Sequence, residues 1–156
     1  MSIIKAVQDF LCTYKGMDLQ EVEVEETEAG PIFKAISAVL TDRTDEGPSS
    51  YALQPTGNSV TRKDILGNKT YEHDYVFYAK EAAGDEVDRQ DNYSFMEGLF
   101  SWLEDQDEAG NFPELPTGYT AEGLTVANII LFELEERVGL YQVQIKLRYR
   151  KENPNG

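Results

Sequence analysis

Apolar positions along this chain change period several times, and each change marks an element. Ile3, Ile4, Val7, Phe10, Leu11 and Tyr14 fall on one broad helical face, so residues 2–14 are expected to form a helix that stops at Gly16. Glu21-Val22-Glu23-Val24-Glu25 alternates strictly, the pattern of a half-buried strand with an acidic outer face. Glu28-Ala29-Gly30-Pro31 is expected to break it. Ile32–Leu40 fits a short helix or a buried strand, because period alone does not separate the two. Thr41–Ser50 reads as a loop. Tyr51-Ala52-Leu53 reads as a short strand ended by Pro55 and Gly57-Asn58. Residues 59–64 and 69–80 then pair as a hairpin across Leu66-Gly67-Asn68, where Gly67 or Asn68 supplies the positive φ. Within Tyr71–Lys80, Tyr75 and Phe77 face one side and Val76 and Tyr78 the other, which predicts cover on both faces.

Residues 82–90 read as an acidic connector, with Asp91 or Asn92 capping the next helix. In that helix Phe95, Leu99, Trp102 and Leu103 make the buried stripe, with Met96 and Phe100 beside it, and Gly110 ends it. If Trp102 is buried, Trp102→Ala costs about 3–5 kcal/mol. Residues 123–134 and 140–150 form strands joined tightly at 135–139. The last alternates cleanly, with Tyr141, Val143, Ile145, Leu147 and Tyr149 inward and Gln142, Gln144, Lys146, Arg148 and Arg150 outward. Residues 151–156 read as a polar tail. The expected class is α+β: a mainly antiparallel β-sheet with two or more α-helices packed on one face.

Composition narrows the functional classes. At 156 residues the chain is read as a single domain, 1–156, and its 40% hydrophobic content supports a folded core. The net charge of −15 argues against nucleic-acid binding that is independent of sequence, and against anionic membranes. Nothing points to sequence-specific nucleic acid or to a membrane partner. Between Arg89 and Arg137 there is no base but eleven acids, whereas the last strand carries Lys146, Arg148, Arg150 and Lys151. Such asymmetry is either a solvated acidic surface or a basis for head-to-tail self-association. A lone cysteine, Cys12, forms no intrachain disulfide and fits a reducing compartment. Lys5, Gln8 and Asp9 interrupt any leader-like core, so a soluble intracellular protein is expected.

Catalytic chemistry finds little purchase. The single histidine, His73, is placed at a surface or edge strand position, and Cys12 reads as a small packed residue. One His and one Cys do not build a zinc site. Asp105-Gln106-Asp107-Glu108-Ala109-Gly110 starts like a calcium loop, but Ala109 and Pro116 stand where ligands are needed. Asp85, Asp88 and Asp91 suit a charged loop better than a cation cage. Asn68-Lys69-Thr70 and Asn92-Tyr93-Ser94 match the glycosylation pattern without a secretory route. No phosphate-binding glycine motif occurs. The expectation is a non-enzyme without cofactor.

Four blocks carry a resemblance. They are Tyr75-Val76-Phe77-Tyr78-Ala79-Lys80-Glu81-Ala82; then Phe95-Met96-Glu97 with Trp102-Leu103-Glu104; then Gly110-Asn111-Phe112-Pro113-Glu114-Leu115-Pro116; then Tyr141-Gln142-Val143-Gln144-Ile145. In their order and spacing they resemble a family of minor capsid or tail-terminator proteins from tailed phages and prophages of Gram-positive bacteria. The resemblance covers about half the chain; residues 21–50 depart from it. It implies a tail-terminator-like fold and a homo-oligomeric ring, usually of six subunits. The ring would cap the tail tube at the head–tail junction, with the tail-tube protein and a head-completion protein as partners. The protein would be made in the host cytoplasm and end in the virion. A head-side adaptor, or a non-viral small-molecule-binding module or small enzyme, is the alternative. Under the ring reading, Glu21, Glu23 and Glu25, or the acids of 104–114, would face the lumen and repel passing DNA. The hairpin tip, with Arg62, Lys63, Leu66 and Asn68, is the candidate partner contact.

Overall fold

The computed structural model describes residues 2–16, 22–35, 39–41 and 50–154, and for 22–27, 30–35 and 41 the backbone alone. The element order is α1 (Ile3–Leu11), β1 (Val22–Thr27), β2 (Gly30–Ala35), β3 (Val39–Thr41), β4 (Ser50–Lys63), β5 (Lys69–Ala82), α2 (Glu86–Ala109), β6 (Tyr119–Glu135) and β7 (Val138–Lys151). β1 and β2 form a separate two-stranded hairpin, and the other strands form one sheet in the order β3-β4-β5-β7-β6. β3 lies parallel to β4 and every other pairing is antiparallel. The fold is therefore α+β, with a mixed five-stranded sheet and two helices packed against it.

One core joins the layers. Val7 and Leu11 of α1 and Met96, Leu99 and Leu103 of α2 meet Tyr51, Leu53, Phe77, Val143 and Ile145 of the sheet, all buried. The contributing residues of β7, Tyr141 to Tyr149, are the alternate positions expected to face inward. Burial of this kind contributes about 1.5–3 kcal/mol per large apolar side chain. The helices also touch through rings. Trp102 is half-buried, 5.2 Å from Phe10 and 5.3 Å from Tyr14 between centroids. Because that ring keeps a solvent-facing edge, the expected cost of Trp102→Ala falls to the lower end of its range, about 3 kcal/mol.

Four expectations are corrected. First, Pro55 and Gly57 do not end a strand: β4 runs unbroken from Ser50 to Lys63, with register shifts at Pro55/Gly57 and Val60/Arg62. β3 pairs only with Tyr51–Leu53, so Pro55 sits where β4 has become an edge and its missing N–H leaves no ladder bond unmade. Second, residues 82–90 are not a connector. Asp85 caps α2 by accepting from Asp88 N–H at 2.8 Å, so the helix starts at Glu86 and runs 24 residues to its left-handed cap at Gly110. Third, Glu28-Ala29 is a two-residue turn, and Gly30 and Pro31 already belong to β2. Residues 32–35 are thus strand rather than helix. Fourth, cover on the far face of β5 is partial: Val76 is buried there as expected, whereas Tyr78 is only half-buried. Tyr78 there donates to Gln54 Oε1 at 3.1 Å and meets the edge of Phe132. The expected loop over 41–50 lies almost wholly outside the described residues.

Candidate functional site

The β4–β5 hairpin closes as predicted, with Gly67 at φ 85°. Asp64 organises the tip. Its carboxylate accepts from Leu66 N–H and Asn68 N–H, both at 2.9 Å, and from Asn68 Nδ2 at 3.0 Å. The Asn68 amide, those N–H groups and the Arg150 guanidinium 3.4 Å away hold its carboxyl below the usual carboxylate range. The C-terminal residues brace this turn. Asn153 N–H donates to Asn68 Oδ1 at 2.7 Å and Asn153 Nδ2 to Leu66 O at 2.8 Å. Lys151 belongs to β7, and residues 152–154 continue into this brace instead of trailing as a tail.

The predicted contact residues therefore separate. Arg62 and Lys63 are exposed at the end of β4, and Leu66 is exposed at the tip. Ile65 beside it is fully exposed, at 101%. Asn68 is occupied on both ends of its amide. Of the acidic candidates, Glu21 lies outside the described residues. Glu23 and Glu25 are in β1, their backbones opposite Lys34 and Ile32. Glu104, Asp105, Glu108 and Glu114 are exposed. Asp107 is not free: its Oδ1 accepts from Leu124 N–H of β6 at 2.9 Å.

His73 departs most from expectation. β5 lies between β4 and β7, so the histidine is central in the sheet and half-buried. Its Nδ1 is 3.2 Å from Tyr75 Oη and its Nε2 is 2.9 Å from Tyr149 Oη. A neutral imidazole carries one donor and one acceptor nitrogen, so one hydroxyl gives and the other receives. Burial pulls His73 below its ordinary value, against the opposing charge of Asp74. Burial pushes the Tyr149 hydroxyl up to about 12, with Tyr119 and Tyr71 adding to it. Burial raises Tyr75 further, with Tyr149 adding to it.

More rings surround this centre. Tyr71 stacks on Tyr149 at 5.3 Å with an 11° interplanar angle, and Tyr119 meets Tyr149 edge-on at 5.6 Å. Lys151 Nζ stands 5.9 Å from the Tyr119 ring centroid. Together with Asn58, Ser59 and Val60, they line an open cleft of about 420 Å³. Sequence reasoning missed this cluster. Its one visible signal was Tyr71, His73 and Tyr75 at alternate positions of a predicted strand.

The opposite face carries ion pairs between strands. Lys146 lies 3.6 Å from Glu72 and 3.9 Å from Asp74, and Arg148 lies 3.8 Å from Glu122. Cys12 follows α1, half-buried against the core. Asp105–Ala109 forms the last turn of α2, not a loop that could wrap a cation. Among the described residues no helix is long and apolar enough to cross a membrane. In comparison with known proteins, no family model matches this chain and no curated protein matches it.

Proposed function

We propose that this chain is a structural subunit of a tailed-phage or prophage particle, a tail-terminator-like protein that joins copies of itself into a ring at the head–tail junction. Six copies per ring is the number the resemblance suggests. The tail-tube protein and a head-completion protein are its other partners. The observation that carries the reading is a pair of open sheet edges pointing in opposite directions. Among the described residues, β4 beyond Leu53 has no strand neighbour on one side, and β6 has no strand neighbour on its outer side. Three antiparallel steps separate them, so β4 and β6 run oppositely. The β6 edge of one copy laid beside the β4 edge of the next would make an antiparallel pair, a head-to-tail contact that closes into a ring when its rotation allows.

Exposure along β6 supports this. Near Leu124 the edge is covered by Asp107 of α2, a protected arrangement. Further along, Ile130, Phe132 and Leu134 are exposed at 44%, 59% and 47%. An apolar unprotected edge is a template for another strand. The deciding experiment is electron microscopy of particles from a host whose prophage lacks this gene. Overlong tubes beside unattached heads establish the terminator. Normal-length tails beside unattached heads favour a head-side adaptor. Normal infectious particles discard the assembly role.

A further inference from the structure

Three lysines stand in one row at the hairpin end of the sheet. Lys63 of β4 is opposite Lys69 of β5, and Lys69 is opposite Lys151 of β7. Like charges directly across a sheet repel and destabilise it. The chain has 29 acids against 14 Lys and Arg, and the other cations of β7, Lys146, Arg148 and Arg150, each lie near a carboxylate. Among the described residues none of the three aligned lysines is in an ion pair. Glu152 shares a small hollow of about 180 Å³ with Lys69 and Lys151, but beyond ion-pair distance of both. So acidic a chain leaves this row unmatched, which fits an anionic ligand from outside.

The row borders the tyrosine-lined cleft. On the same face the next rung is Val60, Tyr71 and Tyr149, beyond the intervening rung of Arg62, Thr70 and Arg150, and Lys151 belongs to both the cleft and the hollow. Lysine is a compact point charge with three donors and can hold phosphate oxygens. Tyrosine faces give a flat ring a stacking surface. A cleft of about 420 Å³ has the size of a small-ligand site, and Asn58 and Ser59 add polar groups to its wall. We infer that this face binds a nucleotide-type ligand, its phosphates along Lys63, Lys69 and Lys151 and its ring in the cleft of Tyr71, His73 and Tyr119. The net negative charge of the chain does not prevent this, because acids farther away than about 8 Å are largely screened at physiological salt. The inference stands independently of the assembly reading.

The test is calorimetric titration of the full chain with adenosine triphosphate, inorganic triphosphate and a short oligothymidylate, at about 0.15 M salt. Saturable binding of a ring-bearing ligand is expected, weakened about tenfold or more in the Lys63→Gln/Lys69→Gln/Lys151→Gln triple variant. Tyr71→Leu should weaken the ring-bearing ligands and leave inorganic triphosphate unchanged. Tighter adenosine triphosphate supports the site with a free nucleotide as its source; tighter oligothymidylate supports it with a single strand as its source. Equal binding of inorganic triphosphate overturns the proposal, and so does no binding at all. A salt-sensitive self-association lost in the triple variant also overturns it, by giving the row to a second copy. The triple variant should melt at the same or a higher temperature than the parent, because it relieves repulsion. A lower melting temperature removes the premise.

Discussion

At the scale of single residues, His73 is the group whose chemistry the fold changes most. The Tyr75 and Tyr149 hydroxyls hydrogen-bond both of its nitrogens, and because a hydroxyl can give or receive they partner the neutral and the protonated ring alike, so it is burial that disfavours the charge. Its pKa is lowered from 6.5 by burial, so the unfolded chain takes up the proton first as pH falls. The stability this group contributes is present above about pH 6.5 and is lost as pH drops toward the lower folded value. We predict that the melting temperature falls through that window, and that His73→Gln flattens this part of the profile. An equally steep profile in the variant would remove the assignment. The tyrosines work at the other end of the scale. Tyr149 is raised to about 12, so its contribution holds below about pH 10 and is lost above it; Tyr149→Phe should shrink the alkaline transition. None of this was legible in the sequence. Alternation put Tyr71, His73 and Tyr75 on one face of a strand, but only the pairing of β5 with β7 brings Tyr149 beside them.

Elements were legible where apolar period and turn chemistry agreed. The inward face of β7, the Gly67 turn and the Gly110 stop all follow from local signals, and each is found. The start of α2 was missed because its first turns bury no apolar side chain. Val87 is exposed, and the first buried residue is Asn92, whose Nδ2 donates to Ala82 O at 2.9 Å and to Tyr141 Oη at 3.2 Å. That amide ties the helix to β5 and β7 by polar contacts that hydrophobic periodicity does not register. If Asp85 is the cap, Asp85→Ala should cost about 1 kcal/mol in chemical denaturation, whereas Asp91→Ala should cost much less. The packing of α2 against Tyr14, just past the end of α1, rests on a missing side chain. A Cβ on Gly98 would lie 2.6 Å from Tyr14 Oη, and the Tyr14 ring touches Trp102 and Phe95, one turn to either side. Gly98→Ala should therefore destabilise by about 1 kcal/mol, although alanine is the better helix former. Adding Tyr14→Phe removes the clashing hydroxyl and should restore the loss. A stabilised single variant would show that the ring moves aside freely.

For the molecule as a whole, the sequence supplied the class and the β4–β5 and β6–β7 hairpins but not the rest of the strand order, because α2 intervenes between the two hairpins and no turn signal places β5 beside β7. Order decides which edges stay open, and open edges decide how copies can meet. Under the proposed ring, two further features bear on how copies would meet. The net charge of −15 repels identical surfaces, so association must bring unlike patches together. The apolar positions Ile130, Phe132 and Leu134 lie toward the β6–β7 turn, away from the α2 end that covers β6 near Leu124. A head-to-tail contact through β6 satisfies both constraints, since it sets one flank of the sheet against the other. Replacing Phe132 or Ile130 with Lys places a charge on the open edge without touching the buried core, so the monomer should keep its melting temperature within a degree or two of the parent. The expected result in sedimentation velocity over rising concentration is assembly by the parent chain and none by either variant. Should the parent stay monomeric alone, the proposed terminator role predicts that the parent caps purified tail tubes and that the same variants fail to. Full capping by Phe132→Lys would show that β6 is not the joining edge, and attention would pass to the braced hairpin tip with its exposed Ile65 and Leu66.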